Sequence, residues 1–282
     1  MGTTKIQWAT HSWPVVTGCS HAGSPGCDNC YAARMAATRL KHHPRYKGLA
    51  EMSNGKPRWT GEVRLNEDVI NEPYKWRKPR TVFIASMGDL FHPKVPFIFV
   101  VKVFSAVILT QNCTFLVLTK RPERMKEFFS SWKMSCPPNV WLGVTAENQQ
   151  AANERIPVLV DTPAALRFVS CEPLLGRVSL RRWMWSPAVT EGYPYDLRKV
   201  GDGWMGYKCG FPDGIKWVIA GAESGPNRRR AQLDWFRHLR HQSAEANVPY
   251  FLKQADIDGR LCKMPELDGR VWDQMPQVSE QK

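Results

Sequence analysis

Seven short apolar runs recur along the chain, and they constrain its fold more than any other feature. They are Trp13–Thr17, Thr81–Ser86, Phe115–Thr119, Val140–Thr145, Leu166–Cys171, Trp217–Ala222 and Pro249–Lys253. Each is apolar on both faces, as a parallel strand covered on both sides must be. Helical patterns fall between most of them, at Tyr31–His42, Pro96–Thr110, Arg121–Ser131 and Leu233–Ala246. Strand and helix alternating in this way predict an α/β protein, a partial or complete (β/α) barrel of six to seven parallel strands. With 282 residues the chain reads as a single barrel domain over 1–282. The irregular, Trp- and Gly-rich stretch 181–214 reads as an inserted lid, and 255–282 as a C-terminal extension.

In such folds ligands bind at the C-terminal ends of the strands. Here every strand runs into polar residues: a cysteine loop after the first, then Ser86–His92, Thr119–Arg124, Thr145–Asn148, Ser170–Pro173, Gly221–Gly225 and finally Lys253 with Gln254. Seven polar endings on one rim predict a constructed site for a polar ligand.

The first ending holds Cys19, Cys27 and Cys30, spaced C-x7-C-x2-C in a loop with Gly18, Gly23, Pro25 and Gly26. The other five cysteines are scattered, and the N-terminal MGTTKIQWATHSWP has no apolar core of a signal peptide. Clustered thiols in such a chain favour metal or cluster ligation over cross-linking, and a cytoplasmic location is expected. Three thiolates without a nearby fourth suit a four-iron cluster with one open iron. A structural zinc site closed by His21 or His11 is the alternative. A second cluster on Cys171, Cys209 and Cys262 is a weaker one.

The formal net charge is +13. That field attracts polyanions, nucleic acid first among them. The positives gather in two runs: Lys75, Arg77, Lys78 and Arg80, interleaved with Tyr74 and Trp76, and Arg228, Arg229 and Arg230. Aromatic residues between basic ones suit base stacking beside phosphate contacts. Twelve Trp, twelve Phe and seven Tyr exclude disorder as the main state. A membrane span is not expected, because the most apolar stretch, Phe97 to Thr110, is short and broken by Lys102.

The stretches PVVTGCSHAGSPGCDNCYAARMA, VFIASMGDLFHPKVP, FLVLTKRPERM, NVWLGVTAEN, FVSCEPLLG, WVIAGAESGP, VPYFLKQ and LDGRVWDQMP follow one another across nearly the whole chain. Through them the sequence resembles the phage three-Cys-motif family, which is related to the radical S-adenosylmethionine (SAM) enzymes. Compared with the common radical-SAM spacing C-x3-C-x2-C, the loop is four residues longer between its first two cysteines. The resemblance implies a [4Fe-4S] cluster on Cys19, Cys27 and Cys30, with SAM as second cofactor and an external one-electron reductant. It places Ser86, Gly88 and Asp89 against the methionyl group, Asp89 taking its ammonium, and Lys120 or Arg121 on its carboxylate. Thr145 and Glu147 are then expected on the ribose, and Gly221 and Glu223 beside the adenine.

Each of these residues also has a structural reading: Asp89 as a helix cap, Arg121 in an ion pair, Glu147 in a capping network. Cys171, at a strand end, is a candidate for returning a hydrogen atom to a product radical. Glu172 and Lys253 are candidate substrate ligands or interior ion pairs. The expected reaction isomerises or rearranges an amino-acid-type substituent on a thymine base of phage DNA, with the base flipped into the site. Two alternatives stand beside it: the same chemistry on a protein or small molecule, and a zinc-stabilised nucleic-acid binder without catalysis.

Overall fold

The computed structural model describes residues 3–132, 136–184, 196–200, 203–207 and 214–277. One eight-stranded sheet organises the chain. Its strands, numbered here in chain order, are β1 (His11–Trp13), β2 (Arg80–Ile84), β3 (Cys113–Thr119), β4 (Val140–Thr145), β5 (Leu166–Cys171), β6 (Trp217–Gly221), β7 (Tyr250–Ile257) and β8 (Arg260–Lys263). They lie side by side in that same order. All neighbours from β1 to β7 are parallel, and only β8 turns back, antiparallel on β7. The sheet curls into a half-barrel and leaves β1 and β8 as unpaired edges, so the barrel is partial.

Alternation along the strands divides the sheet into two faces. Val82, Ile84, Phe115, Val117, Leu142, Val144, Val218 and Leu252 point outward into the main core. There they meet α2 (Phe97–Ile108), α3 (Pro122–Trp132), α4 (Gln149–Val160) and α5 (Leu233–Glu245), while α1 (Tyr31–Ala37) lies within the connection from β1 to β2. Phe83, Leu116, Trp141, Phe168, Trp217 and Phe251 fill the concave face instead, joined by Trp8 and Ala9 from the N-terminal segment. This second core is why the runs read as apolar on both faces although the barrel is open. Among the described residues no helix is long and apolar enough to cross a membrane.

Three local differences from the sequence reading have simple causes. The first strand stops at Trp13 rather than Thr17, because Pro14 has no N–H for the ladder. Val16 and Thr17 pair instead with Arg64 and Leu65 in a separate antiparallel ribbon. Helix α4 has no counterpart in the sequence reading: its buried face includes Arg155, so its apolar stripe is interrupted. The supposed extension from residue 255 begins inside β7, which continues to Ile257 because β8 supplies its partner. The lid reading of 181–214 falls mostly outside the described residues; of its described part, Asp196–Val200 and Gly203–Tyr207 form a two-stranded antiparallel ribbon.

Candidate active site

A cavity of about 910 Å³ opens at the C-terminal ends of the parallel strands. Cys19, Cys27 and Cys30 line it together with Ser86, Asp89, Thr145, Glu172, Glu223 and Lys253. Residues at or just beyond the C-terminal ends of β2 to β7, and from the loop after β1, therefore reach one space, as the polar strand endings predict.

All three cysteines are free and partly buried. Cys27 closes a single 3-10 turn, Pro25–Cys27, and Cys30 stands at the N-cap of α1, its backbone carbonyl accepting from Arg34 N–H at 3.1 Å. Burial and the Asp89 carboxylate push the Cys19 thiol up to about 12, against the opposing pull of Arg121. His21 is fully committed: its Nε2 lies 3.0 Å from Asp28 Oδ1, and its Nδ1 accepts from Gly23 N–H at 3.1 Å. His11 begins β1, at the far end of the strand from the loop.

Three ion-pair systems hold this loop. The first is Asp89 with Arg121. Arg121 Nη1 donates to Asp89 Oδ2 at 2.7 Å, and its Nη2 donates to Ser20 O and Ser20 Oγ at 3.1 and 3.0 Å. Asp89 also accepts from Thr119 Oγ1 at 2.8 Å and from Phe91 N–H at 2.9 Å. Its carboxylate thus caps the turn after β2 and anchors the guanidinium. Arg121 Nη1 lies 3.7 Å from Cys19 Sγ, beside the first thiol.

His92 completes this corner. Its Nδ1 accepts from Lys94 N–H at 3.1 Å, so Nε2 carries the proton and donates to Ser20 Oγ at 2.9 Å. Burial and the neighbouring Arg121 lower the imidazole to about 4, which keeps it neutral. With Arg121 and His92 both donating to Ser20 Oγ, that oxygen's lone pairs are used and its own hydrogen is left to point elsewhere.

The second system is Glu147, which is fully buried. Its carboxylate meets Lys120 Nζ at 3.0 Å and Arg155 Nη1 at 2.8 Å, and accepts from Ser24 Oγ of the cysteine loop. Burial pushes the carboxyl up, but Lys120 and Arg155 outweigh it and hold the group at about 2. Gly26 lies directly on this carboxylate, where a Cβ would collide with Oε1, so the loop position requires glycine. The third system joins Glu223 to Arg229, with Asn29 Nδ2 donating to Glu223 at 2.9 Å and Arg229 Nη2 donating to Pro25 O at 2.8 Å.

Several residues assigned from sequence therefore stand elsewhere or are otherwise engaged. Glu147 does not line the cavity: both its oxygens are taken beneath the loop, which leaves no face for a ribose. Gly221 packs its Cα against the Glu172 carboxylate and is not part of the wall. Gly88 borders the cavity, but its lack of a Cβ serves the backbone, since Val16 O would lie 2.7 Å from one. Cys171 points outward into the helix-covered core, and burial raises its thiol well above the usual range. It cannot reach a substrate in the cavity. The second cluster fails with it, and Cys209 lies outside the described residues.

Glu172 and Lys253 do meet inside the cavity, Nζ to Oε1 at 2.9 Å, and Trp8 Nε1 donates to Glu172 Oε2 at 3.3 Å. Arg228 pairs with Asp256 at 2.9 Å and Arg229 with Glu223, so only Arg230 of that run is exposed. The run from Lys75 to Arg80 lies at the N-terminal end of β2, across the sheet from the cavity, and Trp76 is buried against Phe115.

The sequence reading passed over Lys56, Arg58 and Trp59, which form part of the cavity wall. They belong to an antiparallel ribbon, Ala50–Ser53 with Lys56–Trp59, packed on α1. Its Asn54–Gly55 turn, with both residues at positive φ, is the signal that would have revealed it.

Fold and site together define an open α/β half-barrel with a cysteine-lined cavity at the strand C-termini. The chain belongs to the family described as protein of unknown function (DUF5131), which it matches over residues 3–276. No curated protein and no solved structure matches it.

Proposed function

We propose that this protein is a radical SAM-type enzyme that rearranges an amino-acid-type substituent on a nucleic-acid base. The observation that carries the reading is the meeting of three free thiols, Cys19, Cys27 and Cys30, on one cavity at the C-terminal rim of a parallel half-barrel. Among the described residues no group of three or more His, Cys, Asp or Glu is placed to hold a metal ion, so the reading is carried by the chemistry of the three thiols and the cavity they share. Three soft donors around a shared space fit a [4Fe-4S] cluster by their chemistry. His21, already committed through both ring nitrogens, speaks against zinc as the alternative.

Cys19, Cys27 and Cys30 would hold the cluster, which with SAM and an external one-electron reductant would supply radical chemistry able to remove a hydrogen atom from an unactivated C–H. The chain's own residues position and exclude. Lys120 and Arg121 reach the wall beside the cysteines already paired, with Glu147 and Asp89, so they fix the shape of that corner and hold the loop in place. Thr145 presents a hydroxyl on the same wall. The Trp8, Phe83 and Leu118 side chains keep the cavity floor apolar, as a reactive carbon radical requires. Glu172 and Lys253 offer a carboxylate and an ammonium side by side, complementary to the amine and carboxylate of an amino-acid substituent. A volume of about 910 Å³ is at the upper end of pockets that hold drug-sized ligands, ~300–1,000 Å³, which suits cofactor plus base.

The test is anaerobic incubation of the reconstituted protein with SAM and a strong reductant. The reading expects 5′-deoxyadenosine from wild type and none from Cys27→Ala/Cys30→Ala. No 5′-deoxyadenosine from an iron-loaded protein contradicts it.

A further inference from the structure

The insertion between β1 and β2 carries a charge the site does not use. Residues 31–60 hold seven Lys and Arg against Glu51 alone, a net +6 of the chain's +13. Arg39, Lys41, Lys47, Lys56 and Arg58 are exposed and form no ion pair among the described residues. Elsewhere the cations near the rim are spent: Arg121, Arg228 and Arg229 each have a carboxylate partner.

The ribbon's geometry directs part of this charge at the cavity. Pro57 is buried between Lys56 and Arg58, so strand alternation puts both basic side chains on one face, and both line the cavity. Two aromatic rings line the same cavity. Trp59 follows on the same strand, and Tyr31 opens α1, its O–H donating to Ser86 O at 2.6 Å. Unpaired cations and aromatic rings on one cavity wall are the combination that holds phosphodiester and base together.

We infer that the insertion, with Lys56 and Arg58 at its inner edge, is the surface on which a nucleic-acid strand docks so that one base enters the cavity between Tyr31 and Trp59. This rests on the reading of the substrate as a nucleic-acid base, and it moves the docking face from Lys75–Arg80, which lies across the sheet, to the cavity mouth.

Fluorescence anisotropy of labelled single-stranded and duplex DNA, across a salt series, tests it on three full-length proteins: wild type, Lys56→Ala/Arg58→Ala and Lys75→Ala/Lys78→Ala. Thermal melts confirm that each is folded. The expected result is salt-sensitive binding by wild type and at least ~10-fold weaker binding by the ribbon variant. Its salt slope should fall by about 1.8 on duplex or about 1.4 on a single strand, two contacts' worth. The Lys75/Lys78 variant should bind as wild type does. Loss in the Lys75/Lys78 variant with retention in the ribbon variant would overturn the docking surface and leave the nucleic-acid reading intact. Binding of wild type to anionic lipid vesicles and to neither DNA would overturn both.

Discussion

Arg121 stands between Asp89 and Cys19, with Nη1 2.7 Å from the carboxylate and 3.7 Å from the thiol sulfur. Two strand endings thereby meet at the first cysteine, and its position depends on that guanidinium. Truncating Arg121 would leave Asp89 buried without its counter-charge and free Ser20 from its strongest tie. Arg121→Ala should therefore load less than half the wild-type iron after identical reconstitution, while Arg121→Lys, which keeps the charge but not the fork, should fall between. Iron and sulfide assays decide it.

Glu147 should make stability acid-sensitive. Its carboxyl is held at about 2 in the folded chain, below the usual carboxylate range. A depressed carboxyl contributes stability fully above the unfolded value near 4.5, and that contribution is lost as pH falls toward about 2. Glu147→Gln should cost about 3 kcal/mol at pH 7, because Lys120 and Arg155 remain without their shared anion. It should also flatten the wild-type decline between pH 4.5 and 2, read by urea denaturation at each pH.

His92 acts in a different window. Its imidazole is lowered to about 4 from an ordinary 6.5, so between these values the unfolded chain binds a proton that the folded chain does not. Stability is then full above pH 6.5 and falls as pH drops to about 4. The span corresponds to about 3 kcal/mol. His92→Gln should remove that slope while leaving the Glu147 decline at lower pH in place. An unchanged slope in the variant would show that His92 is not the group responsible.

Cys171 separates a structural thiol from the three at the cavity. Cys171→Ala should cost about 1 kcal/mol for the cavity it leaves in the core and should change neither iron content nor 5′-deoxyadenosine yield. Loss of iron in this variant would place the residue in the cluster site after all.

Much of the fold was legible because strand runs apolar on both faces announce a doubly covered parallel sheet, and Phe83, Trp141 and Trp217 on the inner face supplied that signal as clearly as the outer residues did. The cysteines and the polar rim were legible from their position after the strands. The partner of each rim residue was not. Asp89, Glu147 and Glu223 have the residue type of cofactor ligands, yet each spends its charge on holding the cysteine loop, through Arg121, Lys120 with Arg155, and Arg229. Two of these pairs, Asp89 with Arg121 and Glu147 with Lys120, join different strand endings, which no local pattern reveals. The residues between Cys19 and Cys27 explain themselves only in three dimensions: Ser20, Ser24 and Gly26 are the points where Arg121 and Glu147 grip the loop. Arg155 hid helix α4 for a related reason, since a buried cation on its inner face broke the apolar stripe.

The central claim is that Cys19, Cys27 and Cys30 hold an iron–sulfur cluster. Anaerobic purification with iron, sulfide and zinc analysis and a visible spectrum, on wild type and Cys27→Ala/Cys30→Ala, tests it most directly. The account predicts about four irons per chain with broad visible absorption, both lost in the variant. One zinc per chain and a colourless protein would contradict it.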